Sequence, residues 1–348
     1  MTFVDRPIRM LVVGAGRGLQ HLRSFQNLQN SFAVAGLVDL SEERLQKGLE
    51  DHDLAETFGF TSFQDALANS GCDGVMVATW ARGHHDLIDQ ALDAGKHVMV
   101  EKPFTLELND AMRLLEKASQ KDLKIVVTQQ WRYLPGQRTV RRLLASGEYG
   151  TVQAGHLASY KARGGEYPDS EHSQLWQMTI HEIDSLISMM NQPIIEVYGH
   201  SFQPPSTTWQ RESTATAELT FQNGCRIVLL STSEARAHSC EFRVECEHAA
   251  LIYRNSAVFG SDESLLLGKD SASTLTTGDL PSTYEKLPID VGPSDMASLD
   301  KKVAEGFATW VQGGPEPETS GQKNLQVLGV LDALLRSGAN GEAATVRG

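Results

Sequence analysis

Gly95-Lys-His-Val-Met-Val-Glu-Lys-Pro103 joins a short apolar run to an abruptly polar end. The run His97–Val100 is typical of a buried strand, and Pro103 must end or turn that strand because proline cannot donate a hydrogen bond to a sheet. The sequence therefore predicts Lys102 at the carboxyl end of a strand, the edge at which open α/β sheets bind ligands. A lysine there can donate or accept a proton. These residues alone leave open a second interpretation, a solvated surface lysine that precedes a loop.

The composition predicts an ordinary globular protein with neither a nucleic acid nor a membrane as its main partner. Its 348 residues suggest two domains, or one large domain with an appendage. The formal net charge of −13 argues against nucleic acid or an anionic membrane as a partner. The four cysteines show no spacing typical of a metal site, so we expect no metal. The sequence has neither an apolar run of membrane-spanning length nor the pattern of a signal peptide, and we therefore expect a cytoplasmic protein.

A glycine-rich segment follows the first predicted strand. Ile8–Val13 is continuously apolar, Gly14-Ala-Gly-Arg-Gly18 follows at once, and helical spacing begins near His21. Strand, glycine turn and helix are the setting of a phosphate-binding loop, because missing side chains let the backbone approach a pyrophosphate. The dinucleotide fingerprint expects its third glycine at Leu19, whereas Gly18 comes one place early. A tight turn without a ligand is the alternative.

Asp39 ends the second predicted strand, Ala33–Val38, about 25 residues after the first glycine. An acid in this place can accept hydrogen bonds from both ribose hydroxyls of an adenosine, and it repels a 2′-phosphate. Asp39 therefore predicts NAD as the cofactor. NADP stays open as a second cofactor, because Arg17 or Arg44 could contact a 2′-phosphate. The alternative role of Asp39 is to cap the next helix, which Ser41 could also do.

The alternation of strands and helices predicts an α/β fold. In residues 1–128 it indicates a dinucleotide-binding domain with a doubly wound parallel sheet. Further on, strands follow strands, and Gln222–Cys225 is a strong hairpin signal, whereas Ser261–Ser282 is polar and irregular. Residues 129–348 are therefore predicted to form an α+β domain with a large, mainly antiparallel open sheet. The closing helix of this domain is able to pack back on the first domain.

Several segments together resemble one protein family. They are Gly14–Gly18, Val38-Asp39, Ala78-Thr79, His84, Ala91–Pro103, Trp131–Pro135 and His181–Asp184. In this order they resemble the Gfo/Idh/MocA family of NAD(P)-dependent oxidoreductases, named for glucose-fructose oxidoreductase and inositol dehydrogenase. The resemblance implies a Rossmann domain that binds the dinucleotide and a second domain whose sheet forms the floor of the substrate pocket. It also implies a homodimer or homotetramer.

The resemblance implies Lys102 and His181 as the catalytic residues. An imidazole suits proton transfer from an alcohol, and a positively charged nicotinamide beside Lys102 would lower the pKa of this amine. Asp184 shares a helix face with His181 and is expected to bind a substrate hydroxyl or orient a neighbour, whereas Glu182 is expected to be solvated. Many sugar and polyol dehydrogenases of the family carry Asp where this chain has Gln177, so His181 lacks that negative charge. A helix histidine paired with a neighbouring acid is the alternative for His181.

The other candidate residues divide by ligand. The cofactor-binding candidates are Gly14, Gly16, Arg17, Gly18, Asp39, Thr79, Trp80, His84, Glu101 and Lys102. The substrate-binding candidates are Asp184, Gln177, Arg132, Tyr160, Lys161, Arg163 and Trp176. Trp80 stands where the family usually has proline, and it either stacks on the nicotinamide or packs against the protein. Arg132 either holds a substrate or a cofactor phosphate or forms a salt bridge with Glu101.

The predicted function is hydride transfer between a secondary alcohol carbon of a sugar, polyol or glycoside and C4 of the nicotinamide. Two alternatives stay open. One is an enzyme of the same fold that cycles tightly held NAD during sugar elimination or glycosidic cleavage. The other is a sugar- or cofactor-sensing regulatory protein without turnover. The expected partner is a small-molecule sugar or polyol, with neither nucleic acid nor membrane involved.

Overall fold

The structure, a computed structural model, describes residues 6–163, 174–255, 262–269 and 284–348. The chain divides into two compact units, each of which is discontinuous in sequence. Unit 1 comprises the chain up to Gln130 and Met296–Leu325, and unit 2 comprises Trp131–Asp295 and Gln326–Gly348. The limits 1–128 and 129–348 for two folding domains stay a prediction.

Unit 1 contains a six-stranded parallel sheet with the strand order β3-β2-β1-β4-β5-β6. The strands are β1 (Ile8–Val13), β2 (Phe32–Val38), β3 (Gly59–Phe60), β4 (Gly74–Val77), β5 (His97–Val100) and β6 (Ile125–Val127). The strand order reverses between β1 and β4, which confirms the predicted doubly wound sheet and places a ligand crevice at the carboxyl ends of these strands. β4 and β5 are buried along their whole length, as expected for strands covered on both faces.

Five helices connect these strands. They are α1 (Gly18–Asn27), α2 (Glu42–Asp51), α3 (Phe63–Asn69), α4 (His84–Asp93) and α5 (Leu108–Gln120). The side chain of Ser41 caps α2 by accepting a hydrogen bond from the backbone N of Arg44 at 3.3 Å. The cap of α2 therefore comes from Ser41, and the Asp39 carboxylate is not required for it.

Unit 2 contains a nine-stranded sheet with the strand order β14-β13-β12-β11-β7-β10-β9-β8-β15. The strands are β7 (Val152–Ala162), β8 (Ile194–Phe202), β9 (Thr214–Phe221), β10 (Arg226–Thr232), β11 (Glu234–Cys246), β12 (Ala249–Asn255), β13 (Ser264–Lys269), β14 (Tyr284–Leu287) and β15 (Ala344–Thr345). Within the described residues, β7 and β10 pair in parallel and the other neighbours pair antiparallel. This arrangement confirms the prediction of a large, mainly antiparallel sheet.

Two helices of unit 2 cover one face of this sheet near β7. They are α6 (Pro135–Ala145) and α7 (Ile180–Met190), and a π-helical turn at Leu175–Thr179 leads into α7. Side chains alternate along a strand. Leu157, Ser159 and Lys161 are accordingly buried on the α7 side of β7, whereas Tyr160 is 39% exposed on the opposite face.

Three strands at or near the sheet edges differ from the sequence-based expectation. Ser264–Lys269 forms β13, so the prediction of irregular structure for Ser261–Ser282 is wrong in this part. Residues 261 and 270–282 lie outside the described residues. The two-residue strands β3 and β15 carry too few side chains to show a period, which explains why no pattern predicts them.

The end of the chain contributes to both units. Helix α8 (Met296–Val311) belongs to unit 1, and α9 (Gly321–Asn340) begins in unit 1 and continues in unit 2. Phe307 of α8 is fully buried and stacks on Phe32 of β2 with ring centroids 6.4 Å apart. The backbone N of Val127 donates to the carbonyl of Thr319 at 2.9 Å, which extends the edge of the parallel sheet. No helix of the described part of the chain is long and apolar enough to cross a membrane.

We expect Phe307→Ala to lower the free energy of unfolding of unit 1 by about 3–5 kcal/mol, because the fully buried ring leaves a cavity against Phe32. Chemical denaturation measures the loss. The control is Val291→Ala at a fully exposed position, which should change stability by less than about 0.5 kcal/mol. Equal, small effects of the two substitutions would contradict the packing of α8 described here.

Candidate active site

The glycine-rich loop of unit 1 uses its three glycines in three different ways. Gly14 has φ +105°, and a Cβ there would lie 2.5 Å from the carbonyl oxygen of Ala78. A Cβ at Gly16 would meet no atom within 4 Å, so the loop is open on that side. A Cβ at Gly18 would lie 2.9 Å from Cγ1 of Val12. Gly18 thus provides the close approach of helix to strand that the fingerprint assigns to its third glycine, although it comes one place early.

The Asp39 carboxylate is fixed against this loop. Its Oδ2 accepts a hydrogen bond from the backbone N of Ala15 at 2.8 Å, and its Oδ1 accepts one from the backbone N of Ser41 at 2.8 Å. The exposed side chain of Arg44 lies 3.6 Å from Oδ1. Each carboxylate oxygen has two lone pairs, so Asp39 retains acceptor capacity for the hydroxyls of a ribose.

Glu101 and Arg17 form the centre of a buried ionic network. The Glu101 carboxylate accepts hydrogen bonds from Nε of Arg17 at 3.0 Å and from Nε2 of His21 at 2.7 Å. Nη2 of Arg17 also donates to both carboxylate oxygens of Asp300, at 2.8 and 2.7 Å. Asp300 lies on α8 and is fully buried. The network therefore joins the glycine-rich loop, α1, the end of β5 and α8.

The charges of this network keep Glu101 ionised. Burial would raise the pKa of Glu101, but the hydrogen bond from His21 and the positive charges of His21, Arg17 and Lys102 lower it from 4.5 to about 2. Because the folded pKa is the lower one, ionised Glu101 stabilises the fold above its ordinary pKa, and this contribution is lost as the pH falls through about 2. Burial raises the pKa of Asp300, and Glu101 raises it further, while His21 and Arg17 oppose this rise.

His84 connects the turns that carry Thr79 and Lys102. The ring is 1% exposed, with Nδ1 at 2.7 Å from the carbonyl oxygen of Pro103 and Nε2 at 3.1 Å from that of Thr79. Burial lowers the pKa of His84, and a neutral imidazole donates through one nitrogen only. His84 therefore contacts backbone atoms of both turns. Lys102 is half-buried in the turn after β5. Trp80 lies on the surface and is 74% exposed. The exposure of Trp80 does not fit the packing alternative considered for this side chain.

In unit 2 the carboxylate that pairs with Arg132 is that of Asp184. Nε of Arg132 donates to Oδ2 of Asp184 at 3.1 Å, and Nη2 donates to Oδ1. Arg132 is 8% exposed and Asp184 is fully buried. Arg132 therefore forms a salt bridge with Asp184, whereas Glu101 accepts hydrogen bonds from Arg17 and His21.

A second buried ion pair joins Lys161 of β7 to Glu182 of α7. Glu182 is 2% exposed and also accepts a hydrogen bond from Oγ of Ser159 at 2.9 Å. The prediction that Glu182 is solvated is wrong, because nearly every residue of α7 is buried and the helix has no fully solvated face.

Trp131 links the Lys161 pair to His181. The indole and imidazole rings stack with centroids 4.2 Å apart and planes 13° apart. Nζ of Lys161 lies 5.4 Å from the centre of the indole ring, within the range of a cation–π interaction. His181 is 6% exposed. Trp131 thus contacts both His181, the predicted proton carrier, and Lys161, a predicted substrate ligand.

The remaining substrate-binding candidates lie in different surroundings. Trp176 is buried and Gln177 is half-buried in the π-helical turn. Arg163 is exposed just after β7. The side chain of Tyr160 is 39% exposed and points to the sheet face opposite to that of Lys161.

Sequence reasoning missed four residues that the structure adds to these clusters: His21, Trp131, Glu182 and Asp300. Trp131 stands next to a predicted ligand, and the 3.6-residue period could have placed His21 on the loop side of α1. Nothing local in the sequence points to Asp300, which lies 283 positions from Arg17.

The residues of unit 1 fit a bound dinucleotide. The open side of Gly16 leaves room for a pyrophosphate at the N-terminus of α1, and Asp39 offers acceptors one strand away. Lys102 and Thr79 lie beyond β5 and β4, on the other side of the point at which the strand order reverses.

Comparisons with known proteins agree with this fit. The sequence profile described as "Oxidoreductase family, NAD-binding Rossmann fold" of the GFO/IDH/MocA family matches residues 8–129, and that of the family's C-terminal domain matches residues 137–252. Inositol 2-dehydrogenase 3 of Saccharopolyspora erythraea is 27% identical over 95% of this chain and 94% of its own length. D-apiose dehydrogenase of Paraburkholderia graminis is 24% identical over 94% of this chain and 86% of its own length.

Solved structures show the same fold. Aldose-aldose oxidoreductase from Caulobacter crescentus superposes with a TM-score of 0.81 at 17% identity, covering 98% of this chain and 100% of that one. WlbA dehydrogenase from Bordetella pertussis, crystallised with NADH and UDP-GlcNAcA, superposes with a TM-score of 0.81 at 19% identity, covering 98% of this chain and 99% of that one. The fold, the glycine-rich loop and the two profile matches lead to one conclusion: the chain belongs to the GFO/IDH/MocA family of NAD-binding oxidoreductases.

Proposed function

We propose that this protein transfers a hydride between a secondary alcohol carbon of a sugar, polyol or glycoside and C4 of the nicotinamide of NAD. The observation that carries the proposal is the carboxyl edge of the parallel sheet, where the Gly14–Gly18 loop, Asp39 and Lys102 lie. The related inositol and apiose dehydrogenases support this reaction class. Relatives with named activities include dehydrogenases and a reductase. They favour the proposed dehydrogenase reaction over the two alternatives, an NAD-cycling lyase and a sensing protein.

The protein's own groups bind, orient and move protons, and the dinucleotide supplies the hydride acceptor when it is bound. Lys102 is the proposed general acid and base, which takes the hydroxyl proton during oxidation and returns it during reduction. His181 is the proposed second proton carrier, and its stacking on Trp131 holds the imidazole plane in one orientation. Ionised Glu101 fixes the backbone next to Lys102 through Arg17 and His21.

We propose NAD rather than NADP as the preferred dinucleotide. Asp39 presents a buried carboxylate beside the loop, which repels a 2′-phosphate. Arg17, one of the two arginines that could have favoured NADP, is paired with Glu101 and Asp300. Arg44 is exposed and lies 3.6 Å from Asp39, whose charge offsets its own.

We also propose that the protein is a cytoplasmic homodimer or homotetramer. The sheet of unit 2 supports the assembly, since its face opposite to α7 carries the exposed side chains of Tyr160, Tyr198 and Val228. Exposed apolar side chains grouped on one sheet are typical of protein interfaces.

We expect Gly16→Val to weaken NADH binding by about tenfold or more, because the new side chain would fill the open side of the loop where a pyrophosphate fits. NADH fluorescence measures the affinity. The melting temperature should stay near that of the parent, since the side chain meets no atom within 4 Å. Gly14→Ala is the contrasting variant, and its clash with Ala78 should lower the melting temperature instead. Unchanged NADH affinity in Gly16→Val would place the cofactor elsewhere.

We expect Lys102→Met to lower kcat by about 10²–10⁴-fold, the usual contribution of a general acid or base, with NADH affinity changed by only a few-fold. Turnover is followed by NADH absorbance with a panel of sugars and polyols. Lys96→Met is the matched control from the same stretch, because the amine of Lys96 donates to the carbonyl of Cys72 and has no assigned role. A Lys102→Met enzyme with kcat within a few-fold of the parent would refute the assignment.

We expect Trp131→Leu to lower kcat by about tenfold or more with NADH affinity unchanged, because His181 loses the ring that fixes its plane. Trp131→Phe should restore most of the activity, since it keeps an aromatic face. Trp310→Leu is the control, because it removes an indole 5.5 Å from the ammonium of Lys124 in unit 1. Equal activity of the Phe and Leu variants would show that stacking has no part in the reaction.

A further inference from the structure

Two of the three basic side chains that the sequence predicts as substrate ligands, Arg132 and Lys161, each contact a buried acid. Arg132 contacts Asp184 through two nitrogens, and Lys161 contacts Glu182. The four side chains are 8%, 0%, 2% and 2% exposed in the order Arg132, Asp184, Lys161 and Glu182. The two positive charges are therefore balanced by two negative charges inside the protein.

The pairs are further held by neutral contacts. The planar fork of Arg132 matches the carboxylate of Asp184, which is the strongest geometry for such a pair. Glu182 also accepts from Oγ of Ser159 at 2.9 Å and from Oγ of Ser231 at 3.4 Å. The ammonium of Lys161 faces the Trp131 ring as well. Separating either pair would break several contacts at once.

Apolar side chains form part of the surroundings of the Lys161 pair. Leu134, Leu157, Met189 and Phe242 line the same cavity as Lys161 and Glu182. Such walls hold little water and lower the local dielectric constant, so an unbalanced charge there is costly. An anionic ligand that drew Lys161 or Arg132 away from its acid would leave a carboxylate buried without that counterion. An anionic ligand that left the pairs intact would lie next to a negative charge.

From this charge balance we infer that the substrate is uncharged: a neutral sugar, polyol or glycoside is preferred over its carboxylate or phosphate counterpart. The inference rests on the proposed function and on the sequence-based prediction that Arg132 and Lys161 lie beside the substrate. A neutral ligand leaves both ion pairs intact, because it brings no charge that competes for Arg132 or Lys161.

The test compares matched pairs of probes that differ in charge. They are D-glucose with D-glucuronate, D-galactose with D-galacturonate, and D-glucose with D-glucose 6-phosphate. Calorimetry in the presence of NADH gives the dissociation constants, and NAD reduction gives kcat/KM. We expect the neutral member to be favoured by at least about tenfold. Tighter binding of the acidic members would overturn the inference.

Two isosteric variants test the cause of the preference. Asp184→Asn leaves the Arg132 guanidinium, which does not lose its proton, without a counterion. We expect the ratio of acid to neutral binding to rise by at least about tenfold in this variant. Glu182→Gln should shift the ratio in the same direction and provides a second measurement if Asp184→Asn folds poorly. An unchanged ratio in both variants would refute the charge-balance argument.

The control is Glu241→Gln. Glu241 accepts hydrogen bonds from Arg254 and from His156, and it precedes Phe242, so its side chain lies on the other face of the sheet. Its substitution removes an acid that pairs with an arginine, yet it should leave the acid-to-neutral ratio unchanged. Failure of every probe to reduce NAD would contradict the proposed function, whereas the binding ratios would still decide the present inference.

Discussion

The bond between the Arg17 guanidinium and the Glu101 carboxylate is the interaction on which unit 1 depends. It ties the glycine-rich loop to the end of β5, and the second donor to the carboxylate, His21, ties in α1. The pKa of Glu101 is lowered to about 2, so its carboxylate stays ionised over the ordinary pH range. The neighbouring Lys102 therefore leaves the sheet from a fixed backbone, which is what a group that must meet a bound cofactor needs.

The parallel sheet could be predicted because its signals are local. Fully buried strands are continuous apolar runs, and the glycine turn between β1 and α1 is recognisable from composition. The displaced third glycine is explained by the contact between Gly18 and Val12, which depends on space between a helix and a strand rather than on spacing along the chain. β13 escaped prediction because its short apolar run, Leu265–Leu267, lies in a mostly polar stretch.

The partners of the charged residues could not be predicted, since they come from distant parts of the chain. Asp300 reaches Arg17 from α8, and Asp184 reaches Arg132 from α7. Glu182 was expected at the surface because helical spacing shows which residues share a face but not how many faces are covered. Because nearly every residue of α7 is buried, the charge of Glu182 needs a partner, and that partner is Lys161. Roles for single residues in catalysis stay proposals, because sequence and fold give positions and not rates.

The discontinuity of unit 1 has a consequence for how the protein is made. Asp300 leaves the ribosome 283 positions after Arg17, which at ~5–20 residues per second corresponds to tens of seconds of translation. During that interval Arg17 of the glycine-rich loop can pair with Glu101 but not yet with Asp300. Helix α8 completes the nucleotide-binding unit only after strands β7–β14 of unit 2 have been synthesised, so the loop gains its second acid late in the order of synthesis.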